Sequence, residues 1–157
     1  MRRLLLLLLL LGCQMVAAQE ISPLSKQDIA ALDAQRQLIR HFLSPRDLQD
    51  KYPTAVGKLG TLRALLEARR FRPEQTYELQ ALGVVLGDVF VQEMGFKWVM
   101  VSDEYGRDPA LQYRDSPILL FPLTMIAKRI ERGETVDAFA LYEGIAEQAR
   151  QRIRALR

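Results

Sequence analysis

The hydrophobic pattern of the chain changes its period at Gly95, and this change separates a helix from a sheet. Residues 73–94, PEQTYELQALGVVLGDVFVQEM, carry apolar side chains at helical spacing on more than one side. A helix of this kind is typical of the buried centre of a domain. Gly95 can end the helix because glycine accepts the left-handed backbone of a C-cap.

The segment after Gly95, FKWVMVSD, is rich in bulky and β-branched residues, as strands are. A weak alternation follows in ALQYRD, and ILLFP is a short apolar run. We predict three strands, at residues 96–103, 110–114 and 118–121. Because the connections between them are short, antiparallel pairing is favoured over crossovers.

Helical spacing also marks the segment that precedes the central helix. A capping box at Ser25 opens an amphipathic helix that we expect to reach Leu43, and Ser44 with the following proline opens a short helical turn. Gly57 and Gly60 predict a flexible approach to a further helix.

Two helices are predicted after the sheet, one at residues 123–132 and a last one capped by Thr135. The predicted fold class is therefore α+β. It consists of N-terminal helices, a buried central helix, a small three-stranded antiparallel sheet and two C-terminal helices.

Gly83 and Gly87 lie four residues apart on one face of the central helix. Each glycine costs about 1 kcal/mol relative to alanine in a helix interior. A compensating gain is expected, and we predict that another helix or the sheet approaches the backbone closely there.

The first residues, MRRLLLLLLLLGCQMVAAQE, have the pattern of an export signal, with two arginines, a leucine run and then small residues. The leucine run is shorter than the roughly 20 residues that span a bilayer. We expect cleavage after Ala18. Residues 1–18 would then be a signal peptide, and residues 19–157 a single domain in the periplasm or outside the cell.

A second interpretation of the same segment uses Leu10-Leu11-Gly12-Cys13 as a lipoprotein box. Cys13 would then be acylated, and lipid would hold the protein on a membrane, since each buried methylene contributes about 0.8 kcal/mol. Both interpretations export the protein. A membrane contact is expected only if Cys13 is acylated.

The net charge and the cysteine content argue against some classes of function. Without Arg2 and Arg3, the 22 basic side chains fall to 20 against 19 acidic ones, and the net charge falls from +3 to +1. A nucleic-acid binder needs a clear basic excess, so we expect no nucleic-acid partner. Cys13 is the only cysteine, and cleavage after Ala18 removes it, so no disulfide and no thiolate ligand are expected.

The heptapeptide DEYGRDP, residues 103–109, is the strongest candidate for a contact site. The side chains that could make contacts are Asp103, Glu104, Tyr105, Arg107 and Asp108. The spacing does not fit a calcium EF-hand loop, which needs glycine at its sixth and glutamate at its twelfth position. Glycine and Asp-Pro also dominate turns, so a polar hairpin turn explains the cluster more simply.

Asp88 lies among valines on the predicted central helix. Burial and neighbouring charges tune a carboxylate, so Asp88 is a candidate acid, although buried charges are more often structural pairs. His41, the sole histidine, is predicted to be a surface helix cap. Zinc would need further ligands, so we expect no metal and no cofactor.

Lys128 and Arg129 follow the third predicted strand. They could bind an anion or the acidic cluster at residues 103–108. Basic runs on helices more often form a solvated face.

Between about Leu82 and Glu134, three segments resemble a bacterial family of small domains that has no assigned activity. The segments are LGVVLGDVF, WVMVSDEYGRDPAL and ILLFPLTMIAKRIERGE. The resemblance implies the same α+β fold, with export or envelope association in some members. It brings no catalytic residues to this chain.

These observations favour a non-catalytic binding domain of the bacterial periplasm or envelope with an unknown protein partner. The sheet edge and the 103–108 connector would make the contact, because exposed strands accept partners by backbone hydrogen bonding. Trp98 and Tyr105 would be the anchors, since aromatic residues dominate interface energies.

Two alternatives stay open. A small hydrolytic enzyme could use Asp88 or Asp103 with Glu104 as acid and base, and Arg107 or Lys128 to steady an anionic group. We assign no catalytic residue on this basis. The other alternative is membrane tethering through acylated Cys13.

Overall fold

A computed structural model describes residues 19–156. Its elements in chain order are β1 (Glu20–Ser22), α1 (Lys26–Arg40), α2 (Pro45–Asp50), α3 (Ala55–Glu67), α4 (Thr76–Met94), β2 (Phe96–Asp103), β3 (Gly106–Tyr113), β4 (Leu119–Leu120), α5 (Pro122–Glu131) and α6 (Ala138–Ala155). The predicted α+β class is confirmed. The signal peptide predicted at residues 1–18 lies outside the described residues.

The strands form one antiparallel sheet in the order β1-β2-β3-β4. The sheet therefore has four strands, and the prediction of three was wrong. β1 consists of three residues, EIS, which are too few to show an alternation, and it pairs with β2 nearly eighty positions later. β3 begins at Gly106 and not at residue 110, so much of the predicted connector is strand.

α4 is the centre of the fold and packs against α1, α3, α5 and β2. Ten of its residues between Leu79 and Phe90 are buried, so the predicted burial on more than one side is confirmed. Gly95 ends α4 with a φ of 71°, the left-handed cap that the sequence predicted. Within residues 19–156, no helix combines the length and the apolar character that a membrane crossing requires.

The two glycines of α4 lie where its neighbours come closest. A Cβ atom at Gly83 would overlap the carbonyl oxygen of Pro122 and would lie 2.7 Å from the Cα atom of Leu123. A Cβ atom at Gly87 would overlap the indole of Trp98 and would lie 2.9 Å from the Cγ atom of Pro122. The predicted close approach is confirmed, and it involves both α5 and the sheet.

Two helix starts differ from the prediction. α3 begins at Ala55 and contains Gly57 and Gly60, because the Thr54 hydroxyl accepts the backbone N–H of Gly57 at 3.0 Å and caps the helix early. α6 is capped by Asp137 and not by Thr135, since the Asp137 carboxylate accepts the N–H of Ala140 at 2.7 Å.

The β2–β3 hairpin is packed on both faces. Trp98 and Leu111 belong to the main core, whereas Val99, Val101 and Ala110 form a second cluster with Leu119 and Phe121 against it. Residues 103–108 at the far end of the hairpin are all exposed. Apolar packing thus fixes the body of the hairpin, and its tip extends beyond the packed region.

Candidate functional site

The hairpin tip, residues 103–108, begins with a tight turn at Glu104 and Tyr105. The Asp103 carboxylate accepts the backbone N–H of Tyr105 at 2.8 Å. Gly106 has a φ of 147°, a backbone conformation that residues other than glycine rarely adopt. Asp103 and Gly106 therefore supply the turn chemistry that the simpler interpretation of the heptapeptide predicted.

Arg107 ties the hairpin tip to the first helix. Its two terminal nitrogens donate to the carboxylate of Asp28, each at 2.7 Å. The same carboxylate accepts the backbone N–H of Ser25 at 2.8 Å and completes the capping box of α1. The link joins positions that are 79 residues apart in the sequence.

These hydrogen bonds shift the pKa values of both Asp28 and Arg107. Hydrogen bonds from Arg107 and then from Ser25 hold the pKa of Asp28 well below its usual range. The hydrogen bond to Asp28 in turn raises the pKa of Arg107. Because Asp28 neutralises Arg107, the hairpin tip keeps three carboxylates and is acidic. They belong to Asp103, Glu104 and Asp108.

Tyr105 is the most exposed part of this arrangement. Its side chain is 89% exposed at the end of the hairpin. A tyrosine exposed to this extent leaves a large ring in water, where it is accessible to other molecules. The hairpin tip is therefore the part of the candidate site that is free to bind.

Trp98 is not part of the hairpin tip. Its indole Nε1–H donates to the carboxylate of Asp88 at 3.0 Å on the inner face of the sheet. Arg36 donates to the same carboxylate through Nε and Nη2, both at 2.7 Å, and its guanidinium carbon lies 6.0 Å from the Trp98 ring centroid. The pair with Asp88 raises the pKa of Arg36.

Asp88 and the hairpin carboxylates are far apart. Trp98, which holds Asp88, precedes Asp103 by five positions on β2, or roughly 16 Å at about 3.3 Å per residue. The Asp88 side chain is 18% exposed and already bonded by Arg36 and Trp98. The fold thus does not bring Asp88 together with Asp103 or Glu104 as one acid and base pair.

Two arginine-containing features were missed by the sequence analysis. The first is Arg36, whose only signal is a basic residue between Leu32 and Ile39 on the buried side of α1. Arg36 lies near Tyr52. Burial of the Tyr52 phenol, with a smaller contribution from Asp88, raises its pKa to about 12. Arg36 and Asp88 form a structural ion pair in this region.

The second missed feature is a cavity of about 520 Å³ between α3, the start of α4 and the α5–α6 connection. Arginine side chains at positions 69, 70 and 72 stand around it. The signal in the sequence was the ARRFRP segment at residues 68–73, which follows α3 and carries three of the lining arginines.

The remaining candidates lie elsewhere on the surface. Lys128 is exposed in the last turn of α5, and Arg129 donates through Nη1 to the carbonyl oxygen of Met125 at 2.6 Å. Within residues 19–156, neither side chain forms an ion pair with Asp103, Glu104 or Asp108, and Arg107 of the tip pairs with Asp28. His41 is the C-cap of α1, as predicted, and its Nδ1 lies 2.7 Å from the Gln37 carbonyl oxygen.

Among residues 19–156, no three His, Cys, Asp or Glu side chains come together as a metal site. Cys13, the candidate lipidation residue, lies outside the described residues.

These features define a small α+β domain in which a glycine-bearing central helix supports a four-stranded meander with an acidic hairpin tip. Residues 58–142 match the model of a domain of unknown function, DUF3806. The match spans more than half of the 157 residues, and the chain belongs to this family. The resemblance at residues 82–134 lies within this match and is confirmed.

A solved structure shares the fold. A crystal structure from Bacteroides thetaiotaomicron VPI-5482 at 1.50 Å resolution superposes with a TM-score of 0.66 at 13% sequence identity. The similarity covers 83% of this chain and 48% of that one, so this chain spans about half the length of its structural neighbour. No curated protein matches the sequence.

Proposed function

We propose that the chain is a non-catalytic binding domain of the bacterial envelope. In this proposal residues 1–18 are a signal peptide, and the hairpin tip binds a protein partner. The observation that carries the proposal is Tyr105, 89% exposed at the end of a fixed hairpin. Tyrosine is among the residues that contribute most to binding at protein interfaces.

Contacts within the chain hold the hairpin tip in one orientation. The two hydrogen bonds from Arg107 to Asp28 fix its orientation on α1, and the Asp103 carboxylate fixes its turn. A pre-organised loop loses little conformational entropy on binding, so more of the contact energy appears as affinity.

The tip supports this proposal better than the sheet edge does. The edge strands β1 and β4 are three and two residues long. Each of these two strands offers few backbone groups to an added strand. The proposed contact is therefore made by side chains at the hairpin tip.

The charge of the tip defines the kind of partner. The carboxylates of Asp103, Glu104 and Asp108 lie on the same exposed hairpin tip as Tyr105, so the partner should present basic side chains near a depression that accepts an aromatic ring. Opposite charges of this kind steer association, and salt screens them. The association rate should therefore fall as ionic strength rises.

Site-specific photo-crosslinking in the living bacterium tests the contact. A photoreactive amino acid replaces Tyr105 in one variant and Tyr77 in the control, because Tyr77 is also exposed, at 50%, but lies at the start of α4. We expect a defined adduct with an envelope protein from position 105 only. The same adducts from both positions, or none from position 105, would contradict the proposal.

Affinity measurements with the partner identified in that adduct complete the test. Tyr105→Ala should weaken binding by roughly thirtyfold, as expected for an interface hot spot. Tyr77→Ala should leave binding unchanged. Equal losses in the two variants would indicate general damage and would remove the tip from the proposal.

Intact-mass spectrometry of the protein from fractionated cells tests export. A chain beginning at Gln19 in the soluble envelope fraction supports the proposed cleavage. A chain beginning at lipid-modified Cys13 supports membrane tethering instead. An unprocessed chain in the cytosol would contradict both.

A further inference from the structure

We propose that the cavity between α3, α4 and the α5–α6 connection binds a single acyl chain with an anionic carboxylate head, that is, a fatty acid. Its volume of about 520 Å³ falls within the range of roughly 300–1,000 Å³ typical of small-molecule sites. None of its lining residues belongs to the hairpin tip. The proposal is therefore independent of the protein contact proposed above.

The interior of the cavity is lined by apolar side chains. Leu79 and Leu82 close its base and are 0% and 1% exposed. Its walls are half-buried apolar side chains, which are Leu66, Phe71, Ile130 and Val136. Covering such half-buried apolar surface releases water and favours binding of an apolar chain.

The position of the polar groups favours an acyl chain over a peptide. The charged side chains that line the cavity, among them Glu67 and Arg69, are exposed at its rim, while the base and walls are apolar. A peptide backbone in this interior would leave its N–H and C=O groups without partners, which is unfavourable. A hydrocarbon chain has no such groups.

The rim is basic and suits an anionic head. Arg69, Arg70 and Arg72 line it together with Glu67 and Glu134. Glu134 is paired with Arg132 at 2.9 Å, and Arg72 is paired with Glu74 at 3.8 Å, which leaves Arg69 and Arg70 for the head. Arg70 is held in place by Phe42, whose ring centroid lies 4.7 Å from the guanidinium carbon. Guanidinium groups bind carboxylates with paired hydrogen bonds, so a carboxylate at the mouth would be well matched.

The backbone at Arg69 adds a second observation. α3 ends with Arg69 at a φ of 46° and a hydrogen bond from the Arg70 N–H to the Leu65 carbonyl oxygen. α5 ends at the same cavity in the same way, but with Gly133 at a φ of 75°. Glycine is the favoured residue in this left-handed position, so arginine is held there against its backbone preference. Strained residues cluster at ligand sites, although Arg114, at a φ of 51°, has the same backbone away from the cavity.

Isothermal titration calorimetry of the full chain with laurate, below the concentration at which laurate aggregates, tests the proposal. We expect saturable binding of one laurate. Acetate, which has the head without the chain, and dodecyltrimethylammonium, which has the chain with a cationic head, should not bind. No laurate binding, or equal binding of the cationic amphiphile, would overturn the proposal.

Arg69→Gly is the decisive variant, and Arg114→Gly is its matched control. Both arginines have a left-handed backbone, with φ values of 46° and 51°, but Arg114 follows β3 and does not line the cavity. Arg69→Gly should weaken laurate binding roughly fivefold, as expected for an exposed charge pair, while its melting temperature stays equal or rises. Arg114→Gly should leave binding unchanged.

Two outcomes would contradict this assignment. Equal losses in Arg69→Gly and Arg114→Gly would mean that laurate responds only to overall charge. Displacement of laurate by an apolar peptide with a free C-terminal carboxylate, at lower concentration than laurate itself requires, would replace the acyl chain by a peptide as the ligand. Neither outcome bears on the hairpin tip, so the two proposals fail separately.

Discussion

Asp28 joins two parts of the molecule through one carboxylate. It caps α1 through the backbone N–H of Ser25 and holds the hairpin through Arg107. A carboxylate that accepts several hydrogen bonds is favoured in its charged form. The stability of the folded chain should therefore depend on pH through this residue.

The pKa of Asp28 in the folded chain lies below its unfolded value, near 3.8. A carboxylate with a lowered folded pKa stabilises the fold fully above its unfolded pKa and loses that contribution as pH falls toward the folded pKa. We predict that Asp28→Asn is less stable than the native chain at neutral pH. The difference should shrink as pH falls below about 3.8, and urea denaturation at several pH values measures it.

Arg107→Gln supplies the control for that prediction. Without its guanidinium, Asp28 keeps only its bonds within the capping box, so the pH-dependent loss in Asp28→Asn should be smaller in the Arg107→Gln background. A loss of the same size in both backgrounds would assign the effect to the cap of α1 alone.

Single residues also show what the sequence can and cannot predict. The burial of Asp88 follows from the valines around it, and so does the expectation that a partner neutralises it. Its partner Arg36 lies 52 positions away and reaches it only because α1 packs on α4. Trp98 was predicted as an anchor for a partner, whereas its indole nitrogen bonds Asp88 inside the fold.

At the scale of elements, the contact of α4 with α5 depends on the absence of a side chain. The backbone of Pro122 and Leu123 occupies the space that a Cβ atom at Gly83 would need. Backbone atoms cannot move away by a rotamer change as a flexible side chain can. Gly144 in α6 has nothing within 4 Å of its Cβ position. The two positions make a matched pair.

We predict opposite effects from the same substitution at these glycines. Gly83→Ala should destabilise the fold by about 3 kcal/mol, because overpacking must push α5 away. Gly144→Ala should stabilise it by up to about 1 kcal/mol through helix propensity alone. Chemical denaturation of both variants measures the difference, and equal effects would contradict the close contact at Gly83.

Elements with a clear hydrophobic pattern were predicted from the sequence. α4 has a long apolar pattern and a glycine cap, and both were recognised. β4 has only two residues, but it lies inside the strand predicted at residues 118–121. β1, with three residues, was missed, and it exists only because β2 offers it an edge. The early start of α3 was missed because the glycines at 57 and 60 argue against helix, and the Thr54 cap outweighs them.

At the scale of the whole molecule, the folded unit extends beyond the segment that defines the family. The matched residues begin at position 58, yet α1 and β1 precede it. α1 supplies Leu32 and Ile39 to buried positions, 2% and 0% exposed, and Arg36 to Asp88. The residues before position 58 therefore complete the fold.

We predict that residues 58–157 alone do not unfold cooperatively. Losing the burial of Leu32 and Ile39 removes about 1.5–3 kcal/mol each, and Arg36 would be lost as well, against a total stability of only about 5–15 kcal/mol for such domains. A chain that begins at Gln19 should show one cooperative transition in urea. Trp98, the only tryptophan, reports it by fluorescence.

A chain that begins at Leu24 is the control for this prediction. It lacks only the three-residue β1 and should keep a cooperative transition at a lower urea concentration. A cooperative transition of residues 58–157 with the midpoint of the longer chain would show that α1 is dispensable.

The pairing of β1 with β2 has a consequence for timing. A chain that leaves the ribosome or crosses a membrane with its N-terminus first presents Glu20–Ser22 long before Phe96–Asp103 is there to receive it. During that interval the backbone next to the proposed cut before Gln19 has no strand to join. If residues 1–18 are removed as we propose, the cut would fall beside a strand that has not yet paired, and the sheet would form only afterwards.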